Sequence, residues 1–359
     1  MHLYKIDLIN FKNHPKSYFE FIEGVNCITG SNGVGKTNLL DAVYYLSMTK
    51  SAFTASDQQN IKMGSSFFAI HSQVNSSGKS YRLSCTYEEN KGKNILIDKK
   101  LQNPKSEHIG RFPLALISPY DTDIIRGGSE IRRKFVDVYI SQTNKNYLSD
   151  IISYNRLLKQ RNALLKKMFE ENKKDFSLVD VYNQQLLPLN IRISNVRKAY
   201  LAKFIPWFSD IYQKLTNNLE KVNINYESHT NDSDFEQQFL DSFKTDLQAQ
   251  RTTLGIHKDD LEFLMNDVPV KKYGSQGQQK SYVLSLKIAQ HFNLREDTGI
   301  RPFLLLDDIF DKLDEARITN LIKLIGTKEV GQIFITDARP ERSAAILYEA
   351  GIDYKEIRL

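Results

Sequence analysis

The sequence is poor in cysteine. Its 359 residues include two cysteines, Cys27 and Cys85, and neither has a cysteine or histidine neighbour at metal-ligand spacing. One possible pair defines no disulfide framework, and nothing indicates a cysteine-based metal site. Because Cys27 lies in the apolar run 25–29, we expect a small buried side chain there, and the low cysteine content fits a reducing cytoplasm.

Long apolar runs are absent as well. No stretch has the length of apolar residues that a membrane span requires, and residues 1–8 alternate charged and apolar side chains without a signal-peptide core. We therefore expect a cytoplasmic protein, mature from Met1 and without a membrane partner. The net charge of +6 permits contact with polyanions but does not prove it.

Glycine is missing between Gly128 and Gly255. In this stretch, the spacing of apolar residues and the dense charge predict helices over 130–169 and 178–219. Shorter apolar segments bounded by turn residues are typical of strands. They lie at 3–11, 17–21, 24–29, 67–74, 81–87, 94–97, 222–226, 261–265, 302–306 and 332–335. The pattern predicts an α/β fold in which both ends of the chain build one domain around a helical insertion.

The strongest motif is a glycine-rich loop between a predicted strand and a helix predicted over 38–46. It matches the pattern G-x-x-x-x-G-K-[ST] at Gly30, Ser31, Asn32, Gly33, Val34, Gly35, Lys36 and Thr37, and Asn38 follows it. In such a loop, backbone N–H groups and the helix N-terminus surround a phosphate. We predict that these residues bind ATP, with Lys36 on the β- and γ-phosphates and Thr37 on Mg²⁺. The alternative is a glycine-rich turn that contains Gly-Lys-Thr by chance.

A second motif ends the apolar strand at 302–306 in two carboxylates, Asp307 and Asp308. In P-loop ATPases the first carboxylate holds Mg²⁺, and the next acidic residue polarises the attacking water. We assign these roles to Asp307 and Asp308. The predicted catalytic residues are thus Lys36, Asp307 and Asp308, and the predicted metal ligands are Thr37 and Asp307. The alternative is that these two acidic residues at a strand end cap a helix or lie in a solvated turn.

A third motif, Ser275, Gln276 and Gly277, precedes a helix predicted over 281–292 and has the form Ser-x-Gly-x-Gln. This is the shape of the signature loop of ABC-type ATPases, which contacts the ATP of a second subunit. It predicts a homodimer that forms around ATP, whereas the alternative is a helix N-cap.

Two further segments follow the predicted strands. Residues 311–314 follow the carboxylates as a D-loop does. The strand at 332–335 is followed by Thr336 and Asp337 without a histidine, so γ-phosphate sensing is unassigned.

Together these motifs resemble those of the RecF family of bacterial recombination mediators, which is related to SMC-type ATPase heads. The resemblance spans nearly the whole chain, and its more specific segments are 118–137, 154–162, 255–261 and 275–280. It implies a weak, DNA-stimulated ATPase of recombinational repair, replication-gap processing and the SOS response. Such a protein dimerises on ATP, binds gapped or double-stranded DNA, and works with RecR, and usually RecO, to load RecA. The family commonly carries arginines near Phe53 and Ser56, and their absence argues against an arginine contact from this loop.

Basic residues provide candidates for the DNA contact. They are Lys91, Lys93, Lys99, Lys100, Arg132, Arg133, Lys134, Lys159, Arg161, Lys166 and Lys167. We expect only some of them to contact phosphates, because a solvated surface is the preferred interpretation of any single lysine. Arg132 and Arg133 could instead hold the insertion against the ATPase core. His257 with the neighbouring acids at 259 and 260 suggests a metal or catalytic cluster, but a hydrogen-bonded structural element is the preferred interpretation.

The sequence therefore predicts an ABC-type P-loop ATPase head, with a mixed β-sheet and helices, from residues 1–117 and 250–359. A helical arm is predicted as an insertion at 118–249. Two other functions compete with this interpretation. The ATPase subunit of another ABC machine, such as a transporter, is disfavoured by the large insertion and the glutamine-rich signature. A P-loop small-molecule kinase explains Lys36 and Asp307 but leaves Ser275 without a purpose.

Overall fold

The computed structural model describes residues 1–172, 177–217, 220–310, 314–326 and 330–359. Its strands are β1 His2–Phe11, β2 His14–Glu20, β3 Val25–Thr29, β4 Phe67–Ser76, β5 Lys79–Glu88, β6 Gly92–Ile97, β7 Lys100–Leu101, β8 Leu114–Ile117, β9 Val222–Glu227, β10 Asp260–Met265, β11 Val268–Pro269, β12 Phe303–Asp307, β13 Ile333–Asp337 and β14 Tyr354–Arg358. Its helices are α1 Lys36–Met48, α2 Asp123–Arg126, α3 Ser129–Thr143, α4 Lys145–Glu170, α5 Ser177–Thr216, α6 Phe235–Asp241, α7 Phe243–Ala249, α8 Val270–Tyr273, α9 Gln276–Thr298, α10 Glu315–Ile325 and α11 Pro340–Glu349. By their contacts the residues form two compact units, one of Met1–Thr122, Asp210–Leu219 and Ser275–Leu359, the other of Asp123–Ser209 and Glu220–Gly274.

The first unit contains a five-stranded parallel sheet in the order β14-β3-β13-β12-β8. Strands β3, β12 and β13 are buried along their whole length, as expected for parallel strands that are covered on both faces. Because all five strands run in the same direction, their carboxyl ends meet at one edge of the sheet. The glycine-rich loop follows β3 at this edge, and the two predicted catalytic carboxylates lie at the same end of β12.

A six-stranded antiparallel sheet, in the order β2-β1-β4-β5-β6-β7, completes the first unit. Helix α1 lies between the two sheets and contacts strands of both. Buried side chains therefore occur on all sides of α1, and they include the fully buried Asp41. Burial is not confined to one face of this helix because a sheet covers each side.

The second unit combines the long helices α3, α4 and most of α5 with a three-stranded antiparallel sheet in the order β11-β10-β9. Paired charges lie inside it. Arg197 is 2.8 Å from Asp259 and 3.0 Å from Asp137, while Arg161 and Asp246 are 2.7 Å apart and fully buried. A buried charge without a partner is costly, so removing either partner of these pairs is strongly destabilising.

The division of the chain differs in detail from the one drawn from the sequence. Residues 260–265 were assigned to the head, but β10 pairs with β9 over the register Asp260↔Glu227 to Met265↔Val222 and so belongs to the second unit. Strands β8 and β14 were not predicted, and β14 is a mostly polar strand at the edge of its sheet. As a division into functional domains, head and arm remain a prediction. Throughout the described part of the chain, each helix is too short or too polar to cross a membrane.

His257 lies in the turn before β10 and is hydrogen-bonded on both sides of its ring. The hydroxyl of Tyr154 is 2.7 Å from Nδ1, and the carbonyl oxygen of Thr252 is 3.0 Å from Nε2. The neighbouring Asp259 bonds to Arg197 instead. Among the described residues, no group of three or more His, Cys, Asp and Glu side chains could hold a metal ion. This geometry agrees with the structural interpretation of His257.

Acid should destabilise the protein through His257. Burial lowers the pKa of this side chain to about 4. A histidine with a depressed pKa contributes stability above its unfolded pKa of about 6.5, and that contribution is lost as the pH falls from about 6.5 towards 4. Between about pH 7 and pH 5 this one residue should lower the free energy of unfolding by about 2 kcal/mol, as measured by urea denaturation at the two pH values.

The matched control is His257→Gln, which keeps an amide donor for the carbonyl group of Thr252 but does not titrate. The other histidines, including the buried His291, are the same in both proteins. The difference between the two proteins therefore isolates His257. The same loss of stability in both would contradict the assignment.

Candidate nucleotide-binding site

The glycine-rich loop has backbone dihedral angles that residues other than glycine rarely adopt. Gly30, Gly33 and Gly35 have φ of 146°, 85° and 114°, in the region that favours glycine. A methyl group on Gly35 would lie 2.7 Å from the side-chain amide of Asn13, and one on Gly30 would lie 2.9 Å from the carbonyl oxygen of Leu359. The loop therefore requires glycine both for its dihedral angles and for the close approach of its neighbours.

Lys36 begins helix α1, and its side chain folds back over the loop. Its Nζ donates to the carbonyl oxygens of Gly30, at 2.8 Å, and Ser31, at 3.0 Å. The residue is 8% exposed, so its charge lies in a largely desolvated position. Two neutral carbonyl groups are weaker partners for an ammonium group than phosphate oxygens, which can replace them.

Three side chains meet at the carboxyl edge of the parallel sheet. Thr37 Oγ1 donates to Asp307, at 2.9 Å and 3.1 Å from its two carboxylate oxygens. Thr336 Oγ1 donates to the same carboxylate at 2.8 Å. Burial raises the pKa of the Asp307 carboxyl, and the two threonine hydroxyl groups oppose that rise. The structure thus brings together the two predicted metal ligands, Thr37 and Asp307, in an oxygen-rich cluster of the kind that Mg²⁺ prefers.

Thr336 is a residue to which the sequence assigned no role. It reaches Asp307 because β12 and β13 are parallel neighbours in the register Asp307↔Thr336. Its hydroxyl oxygen also accepts from the backbone N–H of Asp308 at 2.9 Å. The available signal was the threonine at the end of a second apolar strand, but only the pairing of the strands places it beside Asp307.

The backbone and the carboxylate group of Asp308 are both unusual. Its φ is 48°, in the left-handed region that residues other than glycine seldom adopt. Its Oδ1 is buried and has no hydrogen-bond partner within the described ranges of the chain. Strained backbone and unsatisfied buried acceptors both cost free energy, and both are enriched at functional sites. An unpaired carboxylate oxygen fits the predicted role of Asp308 in polarising water.

The predicted signature residues lie at the start of helix α9, in the same unit as the loop. Ser275 is exposed and caps the helix, since its Oγ accepts from the N–H of Gln278 at 3.2 Å, and its own N–H donates to Gln278 Oε1 at 2.8 Å. A methyl group on Gly277 would lie 3.4 Å from Nη1 of Arg317. The N-cap alternative is therefore realised, and the same geometry presents a helix N-terminus to solvent.

The two segments that follow the strands β12 and β13 complete the list of predicted features. Residues 311–313 of the predicted D-loop lie outside the described residues. Asp314 accepts from the N–H of Arg317 at 2.9 Å and caps α10. Asp337, the last residue of β13 and the position where a sensor was sought, is fully buried and accepts from Arg342 at 2.8 Å and from Ser343. Its carboxylate is already occupied, so it does not supply the missing sensor.

The basic residues proposed for DNA divide into exposed and paired groups. Arg161 is fully buried against Asp246, and Arg132 is 9% exposed and bonded to Asp260 at 2.6 Å and 2.9 Å. Neither can contact DNA phosphates in this conformation. Arg132 joins α3 to β10, and both elements lie in the second unit. Lys93 is bound to Asp57 at 2.8 Å, and Arg133 to the carbonyl oxygen of residue 259 at 2.6 Å.

The other basic candidates are exposed to solvent. They are Lys91, Lys99, Lys100, Lys134, Lys159, Lys166 and Lys167, of which Lys91, Lys166 and Lys167 lie near glutamates.

Comparisons with known proteins point to one family. The family model described as "RecF/RecN/SMC N terminal domain" matches residues 2–350. A DNA replication and repair protein RecF from Cytophaga hutchinsonii is 44% identical over 355 residues, which are 99% of this chain and 94% of that protein. The protein of the same name from Flavobacterium johnsoniae is 41% identical, over the full length of both.

Solved structures show the same relationship. The recombination mediator protein RecF of the RecFOR pathway, in a structure named for its complex with ATPrS, is 31% identical and has a TM-score of 0.89, covering 100% of this chain and 96% of that one. An Smc head bound to the C-terminal winged-helix domain of ScpA has a TM-score of 0.57 at 15% identity, covering 96% of this chain and 91% of that one, and shows the shared fold alone. The ABC-type ATPase head predicted from the sequence is thereby confirmed. The chain belongs to the RecF family of DNA replication and repair proteins, within the wider RecF/RecN/SMC group of ABC-type ATPases.

Proposed function

We propose that this protein binds ATP in the glycine-rich loop, dimerises around the nucleotide, and leaves DNA when the ATP is slowly hydrolysed. The observation that carries the proposal is the cluster of Thr37, Asp307 and Thr336 beside a loop that keeps three glycines in the left-handed region. The names of two structural neighbours, RecF-ATP and RecF-ATPrS, state that those proteins were solved with nucleotide.

The residues of the loop suit a nucleoside triphosphate with Mg²⁺. The cofactor-binding set comprises the loop residues 30–38, with Lys36 on the β- and γ-phosphates. Thr37 and Asp307 would hold Mg²⁺, which neutralises charge on the phosphates when bound. Asp308 would accept a hydrogen bond from the attacking water, and one of its oxygens has no partner among the described residues.

The proposal of a homodimer rests on a second helix N-terminus, at the start of α9. Each helix N-terminus is a site for an anion, because its first N–H groups are unsatisfied and its dipole is positive there. The P-loop at α1 and the Ser275 cap at α9 are two such sites. In ABC-type heads the signature loop acts on the nucleotide of the other subunit, so Ser275, Gln276 and Gly277 would grip the ATP bound by a second copy.

Substituting Ser275 by arginine tests this arrangement. The long side chain at an exposed position should leave ATP binding by the monomer within about twofold, while it blocks close approach of a second subunit and abolishes the ATP-dependent dimer. Analytical ultracentrifugation with and without ATP measures the dimer, and titration with a fluorescent ATP analogue measures monomer binding.

Ser275→Ala is the matched variant, because it removes the hydroxyl group without adding bulk and should weaken the dimer less. Loss of monomer ATP binding in Ser275→Arg would contradict action on a second subunit. A wild-type monomer that never dimerises but phosphorylates an added metabolite would favour the kinase alternative.

We further propose that the dimer binds gapped or double-stranded DNA through exposed lysines such as Lys99, Lys100, Lys134 and Lys159. Contacts of lysine with phosphate are independent of sequence and weaken as salt rises. DNA-stimulated hydrolysis, and cooperation with RecR and RecO in loading RecA, are the finer parts of this proposal. Their support is the similarity to relatives named for DNA replication and repair and for the RecFOR pathway. Action on chromosomal DNA would place the protein in the bacterial cytoplasm.

A further inference from the structure

A tight turn from the other sheet touches the glycine-rich loop. It joins β1 to β2 at residues 10–14, which we call the β1–β2 turn. Asn13 Nδ2 donates to the carbonyl oxygen of Val34 at 3.0 Å, with a longer contact of 3.4 Å to that of Gly33. His14 Nε2 lies 3.2 Å from the carbonyl oxygen of Gly35. Two consecutive side chains thus bind consecutive carbonyl groups of the loop.

These contacts help to set the direction of the loop's N–H groups, together with the helical hydrogen bond from the N–H of Leu39 to the carbonyl oxygen of Gly35, at 2.9 Å. In a planar trans peptide the C=O and N–H groups point in opposite directions. Holding the carbonyl oxygens of Val34 and Gly35 towards the β1–β2 turn therefore directs the N–H groups of Gly35 and Lys36 away from it. In a phosphate loop, those N–H groups are donors to the anion.

The turn itself is anchored to the helix that leaves the loop. Asn10 and Lys12 have φ of 52° and 51°, so the chain reverses tightly here. Lys12 Nζ lies 2.5 Å from Asp41 on α1, and Asp41 is fully buried. The Asn13 carbonyl oxygen Oδ1 accepts from Asn38 Nδ2 at 2.8 Å. The turn, the loop and α1 are connected by direct side-chain contacts.

His14 is held in one protonation state by its surroundings. It is 5% exposed, and Ser17 Oγ lies 3.1 Å from Nδ1. The neutral tautomer with hydrogen on Nε2 satisfies both partners, because it donates to Gly35 and accepts from Ser17. Burial lowers the pKa of His14, so the neutral form prevails at neutral pH.

We propose that Asn13 and His14 are positioning residues that hold the glycine-rich loop in its phosphate-binding conformation before nucleotide arrives. The inference rests on the proposed binding of ATP by this loop. Its physical consequence is preorganisation: without the two side chains, ATP must also order the loop, and part of its binding energy is spent on that step.

The test measures ATP affinity per folded protein in Asn13→Ala, His14→Leu and His14→Gln. Each of the first two substitutions removes a hydrogen bond to the loop and should weaken ATP binding about threefold to tenfold. In His14→Gln the amide nitrogen lies where Nε2 was, so affinity should return to within about twofold of wild type. Lys16→Ala, on the exposed side of β2, is the control and should bind like wild type.

A second measurement separates positioning from a merely structural role. Because the loop binds phosphate in both the ground state and the transition state, KM for ATP should rise while kcat at saturation changes by less than about twofold. Thermal unfolding without nucleotide reports any general loss of stability. A lower Tm with unchanged ATP affinity per folded protein would overturn the inference, as would failure of glutamine to restore affinity at position 14.

The result also distinguishes the two levels of proposal. A wild-type protein that does not bind ATP would refute the proposed function, and this inference with it. Wild-type binding that persists unchanged in Asn13→Ala and His14→Leu would refute this inference alone.

Discussion

Replacing Lys36 with alanine should abolish the ATP-dependent dimer and weaken ATP binding about 10- to 150-fold, the range expected when a charge-assisted hydrogen bond is lost. Lys36 is largely buried, and its ammonium group lies on the carbonyl oxygens of Gly30 and Ser31, at the mouth of the loop. The alanine variant leaves the glycines and their backbone unchanged, so the loss reports the charge. Titration with a fluorescent ATP analogue and sedimentation with ATP measure the two effects.

The control for this experiment is Lys79→Ala, which removes an exposed lysine at the start of β5 in the same unit. It lowers the net charge by the same amount, so it corrects for long-range electrostatics. An unchanged dimer fraction in Lys36→Ala would rule out the loop as the phosphate site.

Replacing Asp308 with asparagine should separate binding from hydrolysis. The substitution removes the carboxylate that we propose polarises the attacking water, and loss of a general base typically costs about 10²- to 10⁴-fold in rate. Asparagine is nearly the same size and is tolerated in the left-handed region where Asp308 lies, so the fold of the strand end should survive. The ATP-bound dimer should therefore accumulate and dissociate more slowly from gapped DNA.

Single-turnover hydrolysis and dissociation from a fluorescent gapped duplex, at fixed salt, provide the two measurements. Asp353→Asn, an exposed carboxylate near the C-terminus, should turn over ATP like wild type. Wild-type turnover in Asp308→Asn would assign the catalytic carboxylate elsewhere. Loss of the dimer in this variant would mean that Asp308 acts in binding rather than in hydrolysis.

The loop, the strand before it and the helix after it were predictable because they are consecutive in the sequence. A glycine pattern specifies backbone dihedral angles locally, and three of its glycines do adopt the left-handed region. The same holds for the Ser275 cap, whose partner Gln278 is three residues away. Local rules of this kind need no knowledge of the rest of the chain.

Contacts between distant segments could not be predicted in the same way. Thr336 lies beside Asp307 because two parallel strands are neighbours in one register, and Asn13 reaches the loop because the second sheet folds over α1. Arg161 seemed a DNA contact in a basic helix, but the structure buries it against Asp246, which follows 85 residues later. Whether a charged side chain is solvated or paired depends on the segments that pack against its helix. The sequence of that helix alone does not identify those segments.

The amino-acid sequence by itself determined the chemistry available to this protein: a phosphate loop, two carboxylates after an apolar strand, and a capped helix with the form of an ABC signature. Only the tertiary structure decided which side chains assemble around that chemistry, and which of the basic residues remain exposed to solvent. The physical reason is the distance along the chain over which each interaction acts. Dihedral preferences and caps act over a few residues, whereas strand register, burial and charge pairing depend on segments that meet only when the chain has folded.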